Sequence, residues 1–203
     1  MPDSPLTIFL VDDDDAIRSS LSRALKTRGF DVEAHASAFS FLESYGGSRQ
    51  GCLILDYGMP GMDGLELQAR LNELGHDLSI IFITGHGGVP ESVQAIKGGA
   101  VDFLEKPFSQ AILIERLEAA CAQIRESRQR TADARARLAR IDRLTPRERE
   151  IVDHIVAHPS EISSKAIAAR LGVSPRTVDH HRARILEKLG ASSLVEVLAM
   201  ATR

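Results

Sequence analysis

The sequence predicts an α/β doubly wound domain with a five-stranded parallel sheet, followed by a small all-α unit built around a helix-turn-helix. Three observations carry this prediction. Short apolar runs alternate with amphipathic stretches over residues 1–124. Beyond residue 144 only helical spacing remains. The charge also changes sign: residues 1–124 hold 9 basic and 18 acidic side chains, a net of −9, whereas residues 125–203 hold 16 and 10, a net of +6.

Leu6-Thr7-Ile8-Phe9-Leu10-Val11 is the first strand and residues 32–36 a weaker second. Residues 52–55, 80–83 and 101–104 supply the other three. Near-continuous apolar runs, without polar alternation, fit strands covered on both faces of a parallel sheet. Between them, Ile17, Leu21, Ala24 and Leu25 recur at helical spacing until Gly29. Leu65, Leu67, Leu71 and Leu74 do so until Gly75, and residues 89–96 until Gly98-Gly99. Strand and helix in alternation give a doubly wound sheet, whose site lies beyond the carboxyl ends of the strands.

A long helix is predicted over 109–141, with Ile112, Leu113, Leu117, Ala120, Cys121 and Ile124 facing the sheet. After Ile124 arginines dominate, so residues 125–143 read as a linker, helical by Ala and Arg propensity. Leu138, Ile141 and Leu144 resume the apolar stripe, which is too broken to favour a coiled-coil stalk. Residues 144–203 form the helical unit. Thr145-Pro146-Arg147-Glu148 has Thr at the N-cap, Pro at N1 and Glu at N3. Ile151, Val152, Ile155 and Val156 supply the buried face of that helix. Residues 166–171, Gly172 and a helix opening at Ser174-Pro175 follow, and Leu194, Val197 and Leu198 mark the last helix.

Several classes are disfavoured. No apolar run approaches the ~20 residues that span a bilayer, so no membrane association is expected. Met1-Pro2-Asp3-Ser4-Pro5 lacks a basic secretory n-region, and a cytoplasmic location is expected. Cys52 and Cys121 form no CxxC or Cys/His cluster and read as small buried hydrophobes.

The predicted strand ends carry the chemistry. The first ends at Asp12-Asp13-Asp14-Asp15, the third at Asp56 and the fourth at Thr84; Lys106-Pro107 follows the fifth. Asp14 and Asp15 suit a helix N-terminus. Asp12, Asp13 and Asp56 at one rim repel one another unless one stays protonated or a cation joins them. Hard oxygen donors suit Mg²⁺. A carboxylate there can attack a phosphoryl group to give an acyl phosphate. Lys106 would offset charge on the transferring oxygens and the Thr84 hydroxyl would bond the product. The Lys106-Pro107 bond is of the kind that can be cis.

Residues 1–124 resemble a receiver domain, a flavodoxin-like fold. The matching motifs are Val11-Asp12-Asp13, Leu55-Asp56 with Met59-Pro60 and Gly64, Thr84-Gly85, and Lys106-Pro107-Phe108. The resemblance implies that Asp56 is the phosphoacceptor, and that Asp13 and Asp56 bind Mg²⁺ directly, Asp12 through water, with the Gly58 carbonyl as a further ligand. It makes Thr84 and Phe103 the switch pair, Phe103 also reading as plain core. Gly58 and His86 match positions that tune phosphoryl lifetime, although a solvent-facing loop histidine is an equal reading of His86.

In residues 164–189, Val178, Ile185, Leu186 and Leu189 form the buried stripe of the second helix. Arg176, Asp179, His180, Arg182 and Arg184 face outward near its start, where a recognition helix meets base edges. Lys165 and Lys188 are candidate phosphate contacts. His181 falls in the gap of the stripe and reads equally as a DNA-side or a half-buried structural histidine. This region resembles the LuxR/FixJ-type output domain through Leu144-Thr145-Pro146-Arg147-Glu148-Arg149-Glu150, Lys165-Ala166-Ile167-Ala168-Ala169-Arg170-Leu171 and Ser174-Pro175-Arg176-Thr177-Val178, which adds Thr177 to the DNA-binding set. Ile83-Thr84-Gly85-His86-Gly87 and Ala100-Val101-Asp102-Phe103 resemble the FixJ branch of response regulators. The resemblance implies a sensor histidine kinase as donor, a homodimer on phosphorylation, promoter DNA and RNA polymerase as partners, and no enzymatic activity beyond the chain's own phosphoryl transfer and dephosphorylation. Two other readings are weaker. A regulator switched by another ligand leaves the Asp56, Thr84 and Lys106 set without purpose. An aspartyl phosphatase would want a second acid two residues after Asp56, where Gly58 stands.

Overall fold

The computed structural model describes residues 6–47, 49–85 and 89–201. The chain divides into two compact units, with the break between Arg128 and Gln129.

In the first unit the order is β1 (Thr7–Val11), α1 (Asp15–Thr27), β2 (Asp31–His35), α2 (Ala38–Tyr45), β3 (Gly51–Asp56), α3 (Gly64–Glu73), β4 (Ser79–Thr84), α4 (Val89–Lys97) and β5 (Asp102–Glu105). α5 (Gln110–Ile141) follows. The five strands are all parallel in the order β2-β1-β3-β4-β5. β1 and β3 are buried along their whole length. Apolar side chains on both faces are what a sheet covered by helices on both sides requires. One core layer joins Ile8, Leu10, Cys52, Ile54, Ile81 and Ile83 to Leu21 and Leu25 of α1 and to Leu113 and Leu117 of α5. The other joins Phe9, Val11, Leu53, Leu55 and Phe82 to Phe41 of α2, Leu67 and Leu71 of α3 and Ala95 of α4. Val11↔Leu55 and Asp56↔Ile83 are register partners, so the carboxyl ends of β1, β3 and β4 lie side by side.

Asp14 caps α1, accepting from the amides of Ala16 and Ile17, and Asp15 sits in its first turn, as anticipated for both. α2 is an element that the apolar spacing does not reveal. It is only eight residues long, rich in aromatic and hydroxyl residues, and started by a Ser37/Ser40 capping box. Its Phe41 and Tyr45 pack edge-on against Phe9. Ile112 does not pack on the sheet. It is 43% exposed, because the buried stripe of α5 runs through Leu113, Ile114, Leu117, Ala120 and Cys121, one helical step away. Leu138 is likewise exposed, and the stripe resumes only at Ile141 and Leu144. Cys52 and Cys121 are free and buried.

The second unit holds α6 (Pro146–Ala157), α7 (Ser164–Leu171), α8 (Pro175–Leu189) and α9 (Leu194–Ala201). Ile151, Ile155, Ile167, Val178, Ile185, Leu189, Leu194 and Val197 form its core; Val156 and Leu186 are only half-buried beside it. Thr145 and Glu148 form the capping box that opens α6. The α7–α8 turn is closed by Gly172 in the left-handed region, φ 66°, a conformation that disfavours a Cβ. No described helix is long and apolar enough to cross a membrane.

Candidate functional site

The sheet rim gathers two of the predicted carboxylates around one cation. The Lys106 Nζ donates to Asp56 Oδ1 at 2.7 Å and to Asp12 Oδ2 at 3.1 Å. Asp56 ends β3 and is 5% exposed; Asp12 follows β1 and is fully buried. The strand ends bring them together although Lys106 lies 94 and 50 positions away in the chain. The backbone shapes the rest of the pocket. The Gly58 amide donates to Asp56 Oδ2 at 3.0 Å, and the Asp14 amide to Asp12 Oδ1 at 2.9 Å. A Cβ on Gly64 would stand 2.6 Å from the Asp56 carbonyl oxygen, so only glycine lets α3 begin this close to the phosphoacceptor candidate. The Lys106–Pro107 bond is cis.

Burial raises the Asp12 carboxyl above the ordinary aspartate value, and Asp56 adds to the rise, while the Asp14 amide and Lys106 oppose it. Burial also draws the Lys106 ammonium down, but hydrogen bonds and charge from Asp56 and Asp12 outweigh it and leave Lys106 raised. The pocket therefore holds a fixed cation beside carboxylates that compete for it.

Thr84, at the end of β4, is 1% exposed, and its carbonyl accepts from the Lys106 amide at 2.6 Å. Phe103 is half-buried on the α4 side of β5, its ring 6.3 Å from that of Phe82. Asp13 and Gly58 are exposed at the rim. Two of the three carboxylates thus converge and the third stands beside them. Among the described residues no three His, Cys, Asp or Glu side chains are gathered to hold a metal. The donor chemistry nonetheless fits a hard divalent cation: all donors are oxygens, and Asp12, Asp13 and Asp56 outnumber Lys106. His86 and Gly87 lie outside the described residues.

The exposed face of α8 is more divided. Arg176, Thr177, Asp179, His180 and Arg184 are exposed, as is Lys165 on α7. Thr177 is also part of the turn that starts the helix, its amide donating to the Ser174 Oγ at 3.1 Å. Arg182 is half-buried and donates to the Ser164 hydroxyl, which in turn donates to Asp179. His181 is half-buried, with a buried Nδ1 that has no partner among the described residues. Lys188 is turned inward, its Nζ 2.6 Å from Oε2 of Glu148, which is 1% exposed. Burial works to raise the Glu148 carboxyl, but the Lys188 hydrogen bond and the Thr145 donors prevail and hold it below the ordinary glutamate value. Arg140 donates to the Leu189 carbonyl at the end of α8.

The comparisons agree with this geometry. The response regulator receiver domain family matches residues 8–118, and the bacterial regulatory proteins of the LuxR family match residues 142–201. The transcriptional regulatory protein FixJ of Azorhizobium caulinodans is 43% identical over 202 residues, 99% of this chain and 93% of that protein. FixJ of Rhizobium meliloti is 41% identical, covering 96% of this chain and 94% of its own. The chain is a two-component response regulator of the FixJ branch. Among solved structures, the response regulator StyR matches with a TM-score of 0.84 and 36% identity, covering 98% of this chain and 99% of its own. Full-length FixJ from B. japonicum matches with a TM-score of 0.62 and 38% identity, covering 98% and 97%.

Two residues of this response regulator escaped the sequence reading. Arg18 of α1 donates from Nη1 to the Asp12 carbonyl at 2.7 Å and pairs with Asp15. Its position on the turn after the aspartate run was the available hint. Ser164 joins Asp179 and Arg182 across 15 and 18 positions, and nothing local to Ser164 announces it.

Proposed function

We propose that this response regulator takes a phosphoryl group on Asp56 from a partner sensor histidine kinase, in a Mg²⁺-dependent reaction, and thereby becomes a dimer that binds promoter DNA. The observation that carries this reading is the single ammonium of Lys106 shared by Asp12 and Asp56 at the carboxyl rim of a parallel sheet. An Asp56 carboxylate oxygen attacks the phosphorus of a phosphohistidine; the P–N bond breaks and its electron pair stays on the imidazole, which takes up a proton. Lys106 holds Asp56 in place and offsets charge on the transferring oxygens. Thr84, at the adjacent strand end, would donate its hydroxyl to the phosphoryl group. Receiver domains generally bind Mg²⁺; here Asp12, Asp13, Asp56 and the Gly58 carbonyl would hold it, and when bound it would supply further neutralisation of the phosphoryl oxygens.

Phosphorylation moves Thr84 and Phe103 and so alters the α4–β5 face. That face already exposes Val93, Ile96 and Val101 at 44%, 49% and 41%, which favours a second copy as its partner. The domain assignment that follows is receiver over 1–124, helical linker over 125–143 and DNA-binding unit over 144–203. The DNA-bound dimer would engage RNA polymerase in the cytoplasm. The receiver catalyses only its own phosphoryl transfer and dephosphorylation.

Acetyl phosphate tests the reading. With Mg²⁺ present, intact mass should show one phosphoryl adduct on the wild type and none on Asp56→Asn. An adduct that persists on the variant would refute Asp56 as acceptor.

A further inference from the structure

An acidic side chain on the outward face of a recognition helix is electrostatically out of place, because phosphate surrounds the groove that the helix enters. Asp179 is such a residue: it is exposed and lies one turn into α8. It is also held in place. Arg182 Nη1 donates to Ser164 Oγ, and Ser164 Oγ donates to Asp179 Oδ1. A guanidinium has donors only, so Arg182 occupies an acceptor position of the hydroxyl and directs its one proton to the carboxylate. Ser164 opens α7 and both partners belong to α8, so this relay crosses the two helices of the motif. Asp179 Oδ2 accepts no hydrogen bond among the described residues.

We propose that Asp179 is a base-reading residue that selects cytosine at one position of each half-site, and that Ser164 and Arg182 are the positioning residues that aim it. This inference rests on the DNA-binding reading above. The chemistry singles out a donor as the target. A carboxylate on the helix surface repels backbone phosphate and the guanine acceptors, and the exocyclic N4 amine of cytosine is the major-groove donor that acidic side chains characteristically accept from. Fixing the carboxylate before DNA arrives removes rotamer freedom that would otherwise oppose the contact. The relay also occupies Arg182, so that arginine serves the aim of its neighbour instead of a phosphate.

The test is selection from a random duplex library by the full chain, treated with acetyl phosphate and Mg²⁺. Wild type, Asp179→Asn, Ser164→Ala and Ser164→Thr are compared. The wild type should enrich cytosine over the other bases at one position per half-site by about tenfold. Asp179→Asn should move that column alone toward adenine, since an amide both donates and accepts. Ser164→Ala should flatten the same column by severalfold, and Ser164→Thr, which keeps the hydroxyl, should restore it. Column preferences are ratios within one experiment, so a mere loss of folded protein does not change them. Selected columns that are identical in wild type and Asp179→Asn overturn the proposal while leaving DNA binding intact. No enrichment by the wild type overturns the DNA-binding reading, and this proposal with it.

Discussion

The acidic rim of the sheet and the outward face of α8 both concentrate charge, but they organise it in opposite ways. At the rim, residues far apart in sequence converge: Asp12, Asp56 and Lys106 meet within hydrogen-bonding distance, and two of the three are buried. On α8, basic residues of a single helix diverge. Arg176 stays in solvent, whereas Arg182 is spent on Ser164 and Lys188 on the buried Glu148. The rim is assembled by topology, because parallel strands must end side by side. The helix face is apportioned by competition, because a buried carboxylate or a pinned hydroxyl claims whichever cation can reach it. A basic residue on a helix is therefore a weaker pointer to DNA than an acid at a strand end is to chemistry.

The largest effect is expected at the rim. Asp56→Asn should abolish phosphorylation-dependent DNA binding altogether, as read by band shift with and without acetyl phosphate. Retention of the phosphorylation response would mean that topology had assembled the wrong acceptor.

The next effect falls in the second unit. Lys188→Met leaves Glu148 buried without its counter-charge, with the Thr145 amide as its remaining donor. The lysine is about a third exposed, which softens the loss, so about 2 kcal/mol of stability should disappear. Urea unfolding followed by circular dichroism would measure it. The sign with pH is fixed. Glu148 is held below its ordinary value, so its contribution is present above that value and fades as pH falls. The gap between wild type and Lys188→Met should accordingly narrow on acidification.

The rim predicts the reverse sign. Asp12 is held above its ordinary value, chiefly by burial. Such a group favours the folded state at low pH and loses that advantage as pH rises through its folded value. At about pH 7 the charged Asp12 opposes folding, so Asp12→Asn should raise the thermal midpoint, by a gain of about 1 kcal/mol, while impairing phosphoryl transfer. The gain should shrink as pH falls through the folded value of Asp12. A variant less stable than wild type at neutral pH would show that Asp12 contributes more through Lys106 than it loses to burial.

The smallest effect separates the two kinds of cation on α8. Removing Arg176 should reduce the log–log salt slope of DNA binding by about 0.9, the share of one phosphate contact. Lys188→Met should leave the slope where it was. Equal changes in both would erase the distinction drawn between them.

Much of this was legible in the residues. β1, β3 and β4 are apolar runs that leave no other assignment, and the Thr145–Glu148 capping box appears where its motif stands. α2 was not legible, since eight residues with aromatics at Phe39, Phe41 and Tyr45 carry no clear period. The stripe of α5 was mis-phased at Ile112 because an isoleucine one step off the stripe looks the same in sequence as one within it.

Residue types and their spacing set the inventory and its order: which strands end in carboxylates, which is followed by lysine, and which helices carry a basic face. Those are local properties, set by side-chain type and period. Which charges meet depends on how the chain folds back on itself. The Lys106 bonds to Asp12 and Asp56, the Ser164 relay and the inward turn of Lys188 join residues 15 to 94 positions apart. The Lys106 and Lys188 pairs form because a buried carboxylate obliges a cation to accompany it, and that obligation, like the approach of α7 to α8 that joins Ser164 to Asp179, exists only once the chain has folded.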